Sequence, residues 1–385
     1  MDYVPPPRIR KLKESATIKA AEKARELEAK GVKVIHLDVG EPDFDTPRPV
    51  VEAAYRAMKE GHTHYAPSRG LAELRSAISE YAARRFGVHA DPKEVLITPG
   101  AKQSVFYALS ALLDENDEVL IPTPAWVSYM EMVKLAGGVP VEVETTKEFL
   151  PDIEALRSKI SKRTKVIILN YPNNPTGAVY TGKMLKQIAD LVEAEGLWVI
   201  SDEIYERMTY EGSFISFASI NGMYERTITV NGFSKAYAMT GWRIGYAYGP
   251  AQIINVMVKL QQHTATCVPP FTQKAALVAL DECEDYVSAM VKEFKERRDI
   301  ITKGLKKLGM KVSEPQGAFY VFPEVSGVYN KPSEFAEFLL DKAAVSVTPG
   351  AGFGAGYESY VRVSYANSKE NIEEALERVE RALHS

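Results

Sequence analysis

The sequence predicts an α/β protein in two parts, a mostly parallel sheet covered by helices and a second, smaller α+β domain. Three observations carry this. Short, β-branched apolar runs recur through the middle of the 385-residue chain, and helix-like stretches fall between several of them. From about residue 284 the alternation gives way to one long charged amphipathic helix, with short strands after it. Strands alternating with helices require crossover connections, which are right-handed and lay the strands parallel.

In chain order, strands are predicted at Val95–Ile97, Glu118–Ile121, Val139–Val141, Val166–Leu169, Leu197–Ile200, Thr227–Val230 and Ile244–Ala247. Most are bounded by turn residues. Helices are predicted over 101–113, 125–137 and 181–195. The long helix covers about 284–308, short strands follow near 318–322, 345–347 and 360–364, and a last helix spans 369–383. The segment up to about residue 46 is expected to pack with this second part. There is no internal repeat, and the only low-complexity stretch is Pro5-Pro6-Pro7.

Composition narrows the function. A formal charge of -4, with 25% charged residues, is unlike the basic balance of a nucleic-acid binder. Two cysteines, Cys267 and Cys283, make no disulfide framework and fit a reducing cytoplasm. No apolar run reaches the roughly 18 residues of a membrane span, and the N-terminus lacks the pattern of a secretory signal. The expectation is a cytoplasmic protein without membrane or nucleic-acid partners. Asn, Gln and Cys are sparse beside Lys, Arg and Glu, a balance of the thermophile kind.

Ligands of open α/β sheets gather beyond the carboxyl ends of the strands, so the residues following each predicted strand are the candidates. After Val95–Ile97 comes Thr98-Pro-Gly100-Ala101-Lys102, opening a helix. Free amides and the helix dipole suit a phosphate there, although for this motif alone an ordinary βα turn is the commoner explanation. After Val166–Leu169, the run Asn170-Tyr-Pro-Asn-Asn174-Pro-Thr-Gly177 places the Asn174 amide at a strand end, where it can donate to a phenolate-like oxygen. After Leu197–Ile200 comes Ser201-Asp202-Glu-Ile-Tyr205. A carboxylate behind a buried strand needs a partner, unless Asp202 merely caps the next helix. After Thr227–Val230, Lys235 sits among small and aromatic residues, with Arg243 eight positions on. Desolvation there lowers the amine pKa and makes it a usable nucleophile. The Gly350-Ala-Gly352-Phe-Gly354-Ala-Gly356 run lacks the βαβ setting of a dinucleotide loop and reads as a flexible turn. The missing early Gly-rich turn also argues against a nicotinamide-dependent dehydrogenase.

Gly232-Phe-Ser-Lys235 through Gly241-Trp-Arg243-Ile-Gly245 resembles the cofactor-lysine signature of the class I aminotransferases. Asn174-Pro-Thr-Gly177 and Ser201-Asp202-Glu-Ile-Tyr205 resemble two further landmarks, in the same order. Gly40-Glu-Pro-Asp-Phe44 and Val361-Arg362-Val-Ser-Tyr365 extend the likeness nearly end to end. The resemblance implies the three-layer αβα architecture of fold type I and bound pyridoxal phosphate. It implies domains at 1–46 (arm and part of the small domain), 47–284 (cofactor-binding) and 285–385 (small C-terminal). It implies Lys235 as the attachment and proton-shuttling amine, Asp202 at the pyridine nitrogen, and Tyr205 and Asn174 at the ring oxygen. Trp126 would stack on the ring, and Gly100, Ala101, Lys102, Ser234 and Arg243 would hold the phosphate. Some relatives carry a serine where Gly232 stands. Tyr65 would reach the phosphate of a neighbouring subunit, making the unit a homodimer with shared sites. Arg362 and Gly40, with Trp126 and Asn174, would take the substrate. No metal is implied.

The activity so implied is ping-pong transamination between an L-amino acid and 2-oxoglutarate. Aspartate is the favoured donor because the chain is most similar to the prokaryotic aspartate subgroup, in which Ser15 and Thr17 match polar residues near the substrate side chain. Against it, no lysine follows Lys102 on its helix. The runner-up is aromatic or broad specificity, for which Tyr107 and Tyr129 are suited. A third reading is other pyridoxal-phosphate chemistry such as β-elimination. A DNA-binding regulator would need an added domain and a basic surface, for which the sequence offers neither room nor charge.

Overall fold

A computed structural model describes residues 3–10, 12 and 16–384. The strands, in chain order, are β1 (Ile35–His36), β2 (Val95–Thr98), β3 (Glu118–Thr123), β4 (Val139–Glu144), β5 (Thr164–Asn170), β6 (Trp198–Asp202), β7 (Thr227–Gly232), β8 (Gly245–Tyr248), β9 (Tyr320–Val321), β10 (Val345–Ser346), β11 (Thr348–Pro349) and β12 (Val361–Ser364). Seven of them form one sheet in the order β2-β8-β7-β6-β5-β3-β4. It is parallel except at β8, which runs against both of its neighbours.

The apolar runs build this sheet because both of its faces are buried. Val166, Ile168, Ile200 and Val230 face one helical layer, in which Val105, Leu109, Ile254 and Met257 pack. The alternate residues Ile167, Leu169 and Val199 face Leu185, Ile188 and Val192 on the other side. The period of two along each strand thereby feeds two cores, giving the three-layer arrangement. The helix Gly182–Glu195 is fixed at both ends. Thr181 Oγ1 accepts from Met184 N at 3.3 Å, and Gly196 takes the left-handed conformation at φ 66° that ends it. The helix expected over 125–137 is shorter, Ser128–Leu135, and Ala125 and Trp126 are left on the turn that enters it.

The smaller part joins the antiparallel sheet β11-β12-β9, the parallel pair β1-β10 and the helices Glu284–Lys307, Phe335–Ala343 and Lys369–Leu383. Its core holds Phe294, Ile301, Phe319, Phe335, Val363 and Ile372 together with Ile35 and Leu37 from the N-terminal segment. The glycine run at 350–356 differs from the flexible turn expected. Phe353 is fully buried, Ala125 N donates to its carbonyl at 2.8 Å, and Ala355 N donates to Glu142 Oε2 at 2.8 Å. Two of the glycines serve close packing: a Cβ at Gly350 would strike the carbonyls of Tyr357 and Tyr360, and one at Gly354 would stand 3.0 Å from Thr123 and Glu142 Oε2, whereas Gly356 has open space around it.

Candidate active site

The carboxyl ends of β5, β6 and β7 open onto a cavity of about 380 Å³, closed on its far side by the Asp38–Gly40 loop, Tyr320 and Arg362. Of the residues singled out in the sequence, Gly40, Ala101, Lys102, Trp126, Asn174, Asp202, Tyr205, Ser234, Lys235, Arg243 and Arg362 line it. Gly100 lies at the lip as the residue before the helix Ala101–Leu112. Tyr65 does not line it; its side chain is turned outward and the residue is 89% exposed. Ser15 lies outside the described residues, and of Thr17 only the helical backbone, within Ala16–Ala29, is described.

Lys235 follows β7 on a tight turn, and its Nζ donates to the carbonyl of Gly40. The amine is 6.0 Å from the Tyr205 ring centre and 5.8 Å from that of Phe319. Burial pushes its pKa down to about 8, and the nearby Arg362 and Arg243 guanidinium groups push the same way against Glu41. Asp202 ends β6. Its Oδ2 accepts from Tyr129 OH at 2.6 Å and its Oδ1 from Ile204 N at 3.3 Å. The second contact bonds the turn just after β6 and is not the helix cap that the sequence allowed, since the next helical turn, Glu206–Met208, is entered at Tyr205 without a side-chain cap. Burial nonetheless raises this carboxyl to about 6, which those hydrogen bonds only partly offset. A carboxylate so placed gains from a cationic partner in the cavity.

The amide-rich end of the cavity is made by crowding. Gly100 has φ 90°, and a Cβ there would collide with Arg243 Nη2; a Cβ at Gly245 would collide with Ala101 N. Only glycine lets β8, the helix start and the guanidinium converge. Of the first-turn amides of Ala101–Leu112, Gln103 N donates to Gly100 O at 3.1 Å, and those of Ala101 and Lys102 have no such acceptor among the described residues. Arg243, itself at φ 52°, is braced by donating to Thr240 O at 2.8 Å and Pro99 O at 3.3 Å. Lys102 Nζ lies 4.7 Å from the Trp126 ring centre, and burial, then Arg243, lowers its pKa.

Opposite, Arg362 on β12 donates to Asn174 Oδ1 at 3.1 Å, Asp38 O at 2.6 Å and Thr348 Oγ1 at 3.3 Å. Its Nε is buried without a partner. Gly40 is the close approach here, since a Cβ would stand 2.9 Å from Tyr320 OH and 3.9 Å from both Arg362 terminal nitrogens. Two aromatic side chains named from sequence as substrate-facing have other work. Tyr129 is committed to Asp202, and Tyr107 lies outside the cavity, bonded to Thr264 Oγ1. Sequence reading missed Asp38, which acts here through its backbone carbonyl, and Tyr320, which sits in a strand-like stretch where a tyrosine reads as packing.

Among the described residues there is no helix long and apolar enough to cross a membrane, and no cluster of metal-ligating side chains. Residues 32–379 match the family described as Aminotransferase class I and II. The chain is 47% identical to an aspartate aminotransferase of Pyrococcus horikoshii over 359 residues, 91% of this chain and 90% of that one. It is 44% identical to an aromatic-amino-acid aminotransferase 2 of Thermococcus litoralis, over 92% of this chain and 93% of that one. The solved structure of the Thermus thermophilus aspartate aminotransferase with maleate superimposes with a TM-score of 0.95 at 44% identity, covering 99% and 100% of the two chains.

Proposed function

The chain belongs to the class I and II aminotransferase family, and from that premise we propose that it transfers the amino group of L-aspartate to 2-oxoglutarate, holding pyridoxal phosphate in the cavity on Lys235. The observation that carries this reading is the convergence of a pKa-depressed amine, a buried carboxyl and an arginine with a free Nε in one cavity.

The residues fit that cofactor. The amides of Ala101 and Lys102, the Arg243 fork and the Ser234 hydroxyl suit its phosphate. Asp202 suits a pyridine nitrogen, which would supply the cationic partner that the carboxyl lacks. Tyr205 and Asn174 suit the ring oxygen, and Trp126 suits the ring face. When bound, the cofactor supplies an electron sink for the charge left at the substrate Cα. Arg362 offers a planar fork to the α-carboxylate, and Gly40 leaves room for it. With its pKa depressed, Lys235 Nζ is a usable free base near neutral pH, able to take the Cα proton and return it at the cofactor's C4′, two atoms along.

Aspartate is favoured by Lys102. Its ammonium projects over Trp126 with no acidic partner among the described residues, and so can pair with a distal carboxylate. That answers the objection that no lysine follows it on the helix. A broader or aromatic specificity has a narrower basis, the Trp126 ring, because Tyr107 and Tyr129 are engaged elsewhere.

The same reading makes the active unit a cytoplasmic homodimer. Val51, Tyr55 and Met58 are exposed at helical spacing on Arg48–Lys59, and the exposed Tyr65 follows shortly after. An apolar stripe of this kind suits a second copy, and Tyr65 then reaches the neighbour's phosphate end. We place the domain limits at 1–46, 47–284 and 285–385; the core around Phe294 and Phe319, built mostly from the last of these with Ile35 and Leu37, supports the division, and Tyr205 and Met208 join it from the sheet body.

The test is the absorption spectrum of the purified protein before and after L-aspartate, with no oxo acid present. The expected result is a visible band that gives way to the pyridoxamine form. A band that aspartate leaves unchanged but L-tyrosine converts would reassign the donor. No band, even with added pyridoxal phosphate, would sink the reading of Lys235.

A further inference from the structure

Tyr320 is the side chain on which the two walls of the cavity meet. It stands on β9 in the smaller part and is 1% exposed. Its hydroxyl lies 2.9 Å from that of Tyr205, which belongs to the sheet body, and the two rings meet edge to face at 5.7 Å. The Arg362 guanidinium lies 4.6 Å from the Tyr320 ring centre, with the Phe353 ring at 5.3 Å. The same hydroxyl crowds Gly40, whose carbonyl accepts from Lys235.

We propose that Tyr320 is a positioning residue. Its hydroxyl fixes the direction in which Tyr205 offers its proton, and its ring keeps the Arg362 guanidinium flat for the incoming carboxylate. This rests on the site reading above and assigns it a residue that the sequence did not reveal.

Burial raises the pKa of both hydroxyls, so the pair is neutral, with two protons and one shared contact. When Tyr320 donates to the Tyr205 oxygen, the Tyr205 proton is left for an acceptor inside the cavity. A hydroxyl that accepts one hydrogen bond is also a better donor in the next. Without the Tyr320 hydroxyl, the Tyr205 O–H is free to turn and loses that polarisation. The ring acts separately. The terminal nitrogens of Arg362 are held at their edges by Asn174, Asp38 and Thr348, whereas the guanidinium plane is held by the aromatic contact, a cation–π interaction made stronger by desolvation.

The two effects separate by substitution. Tyr320→Phe removes only the hydroxyl, whereas Tyr320→Leu also removes the ring. The first readout is the pH titration of the visible band of the pyridoxal-phosphate-loaded protein without substrate. The second is the split between KM and kcat for L-aspartate. Tyr320→Phe is expected to raise the midpoint of the band by about 0.3 pH unit, because the hydrogen bond favouring the ring-oxygen anion weakens, with KM nearly unchanged. Tyr320→Leu is expected to shift the midpoint equally and to raise KM by about tenfold. An unmoved midpoint in Tyr320→Phe overturns the hydroxyl role, and that variant keeps the ring and so the packing. Equal KM values in the two variants overturn the ring role. If the wild-type protein shows no visible band at all, the site reading fails first and this inference falls with it.

Discussion

Lys235 is held by one hydrogen-bond acceptor among the described residues, the Gly40 carbonyl, in a pocket that disfavours its charge. A pKa of about 8 instead of the usual value near 10.5 gives a concrete expectation for loading. When the cofactor-free protein is mixed with pyridoxal phosphate, the rate at which the visible band appears should climb through pH 8 and then level off. A climb delayed to near pH 10 would show that the amine is not desolvated. Lys235 and Asp202 were legible in the sequence because each is a charged residue just beyond an apolar run, where its charge needs a reason, and Arg362 because Val361–Tyr365 resembles the C-terminal segment of a known family. Tyr320 and Asp38 were not. A tyrosine in an apolar stretch reads as packing, and the Asp38 contribution to Arg362 is a backbone carbonyl, which no residue type announces. Tyr107 and Tyr129 show the converse: their aromatic character was visible, but the direction in which each ring points was not.

Among the elements, β1 is only two residues long, yet it carries a charged link. His36 lies 3.1 Å from Asp38 Oδ1 through Nδ1 and 3.1 Å from Glu28 Oε1 through Nε2, tying the helix Ala16–Ala29 to the loop that lines the cavity. The hydrogen bond to Asp38, more than the one to Glu28, raises the imidazole to about 9, against burial. A folded-state pKa above the unfolded value near 6.5 contributes stability that is complete below pH 6.5 and is lost as the pH rises toward 9. Melting temperature should therefore decline across that window, and His36→Gln should flatten this part of the profile while lowering the plateau on its acid side. An unchanged slope in the variant would mean that the contact stores no such coupling. Most strands of the sheet were legible because apolar runs buried on both faces have few other uses; the edge strand β4, exposed or half-buried along most of its length, was marked only by Val139-Pro140-Val141. The reversed direction of β8 was not, since an apolar pattern carries no polarity. Nor was the helix Pro270–Glu282. Its buried positions include Ala275, Ala276 and Ala279, whose small side chains allow close approach but leave little amphipathic signal.

For the whole molecule, the exposed stripe Val51, Tyr55 and Met58 sets the assembly expectation. Replacing Tyr55 and Met58 together with Asp should halve the mass in sedimentation velocity and loosen cofactor retention on dialysis, because Tyr65 would no longer reach across. A wild-type protein already monomeric at micromolar concentration would refute it. The two-part architecture was readable from the change of pattern near residue 284. The pairing of β1 with β10 was not, because two-residue strands leave no periodicity to detect. That pairing carries a consequence for how the protein is made. The Asp38 carbonyl and the Arg362 guanidinium that it holds are 324 positions apart, whereas β2 through β8 are finished by Tyr248. Domains tend to fold as units while the ribosome is still at work. A nascent chain can thus complete its sheet, with Lys235 and Asp202 in place, while Arg362, proposed above to hold the substrate carboxylate, is still untranslated. On that reading, a ribosome that stalls before codon 362 would release a chain with one wall of the cavity and without the other.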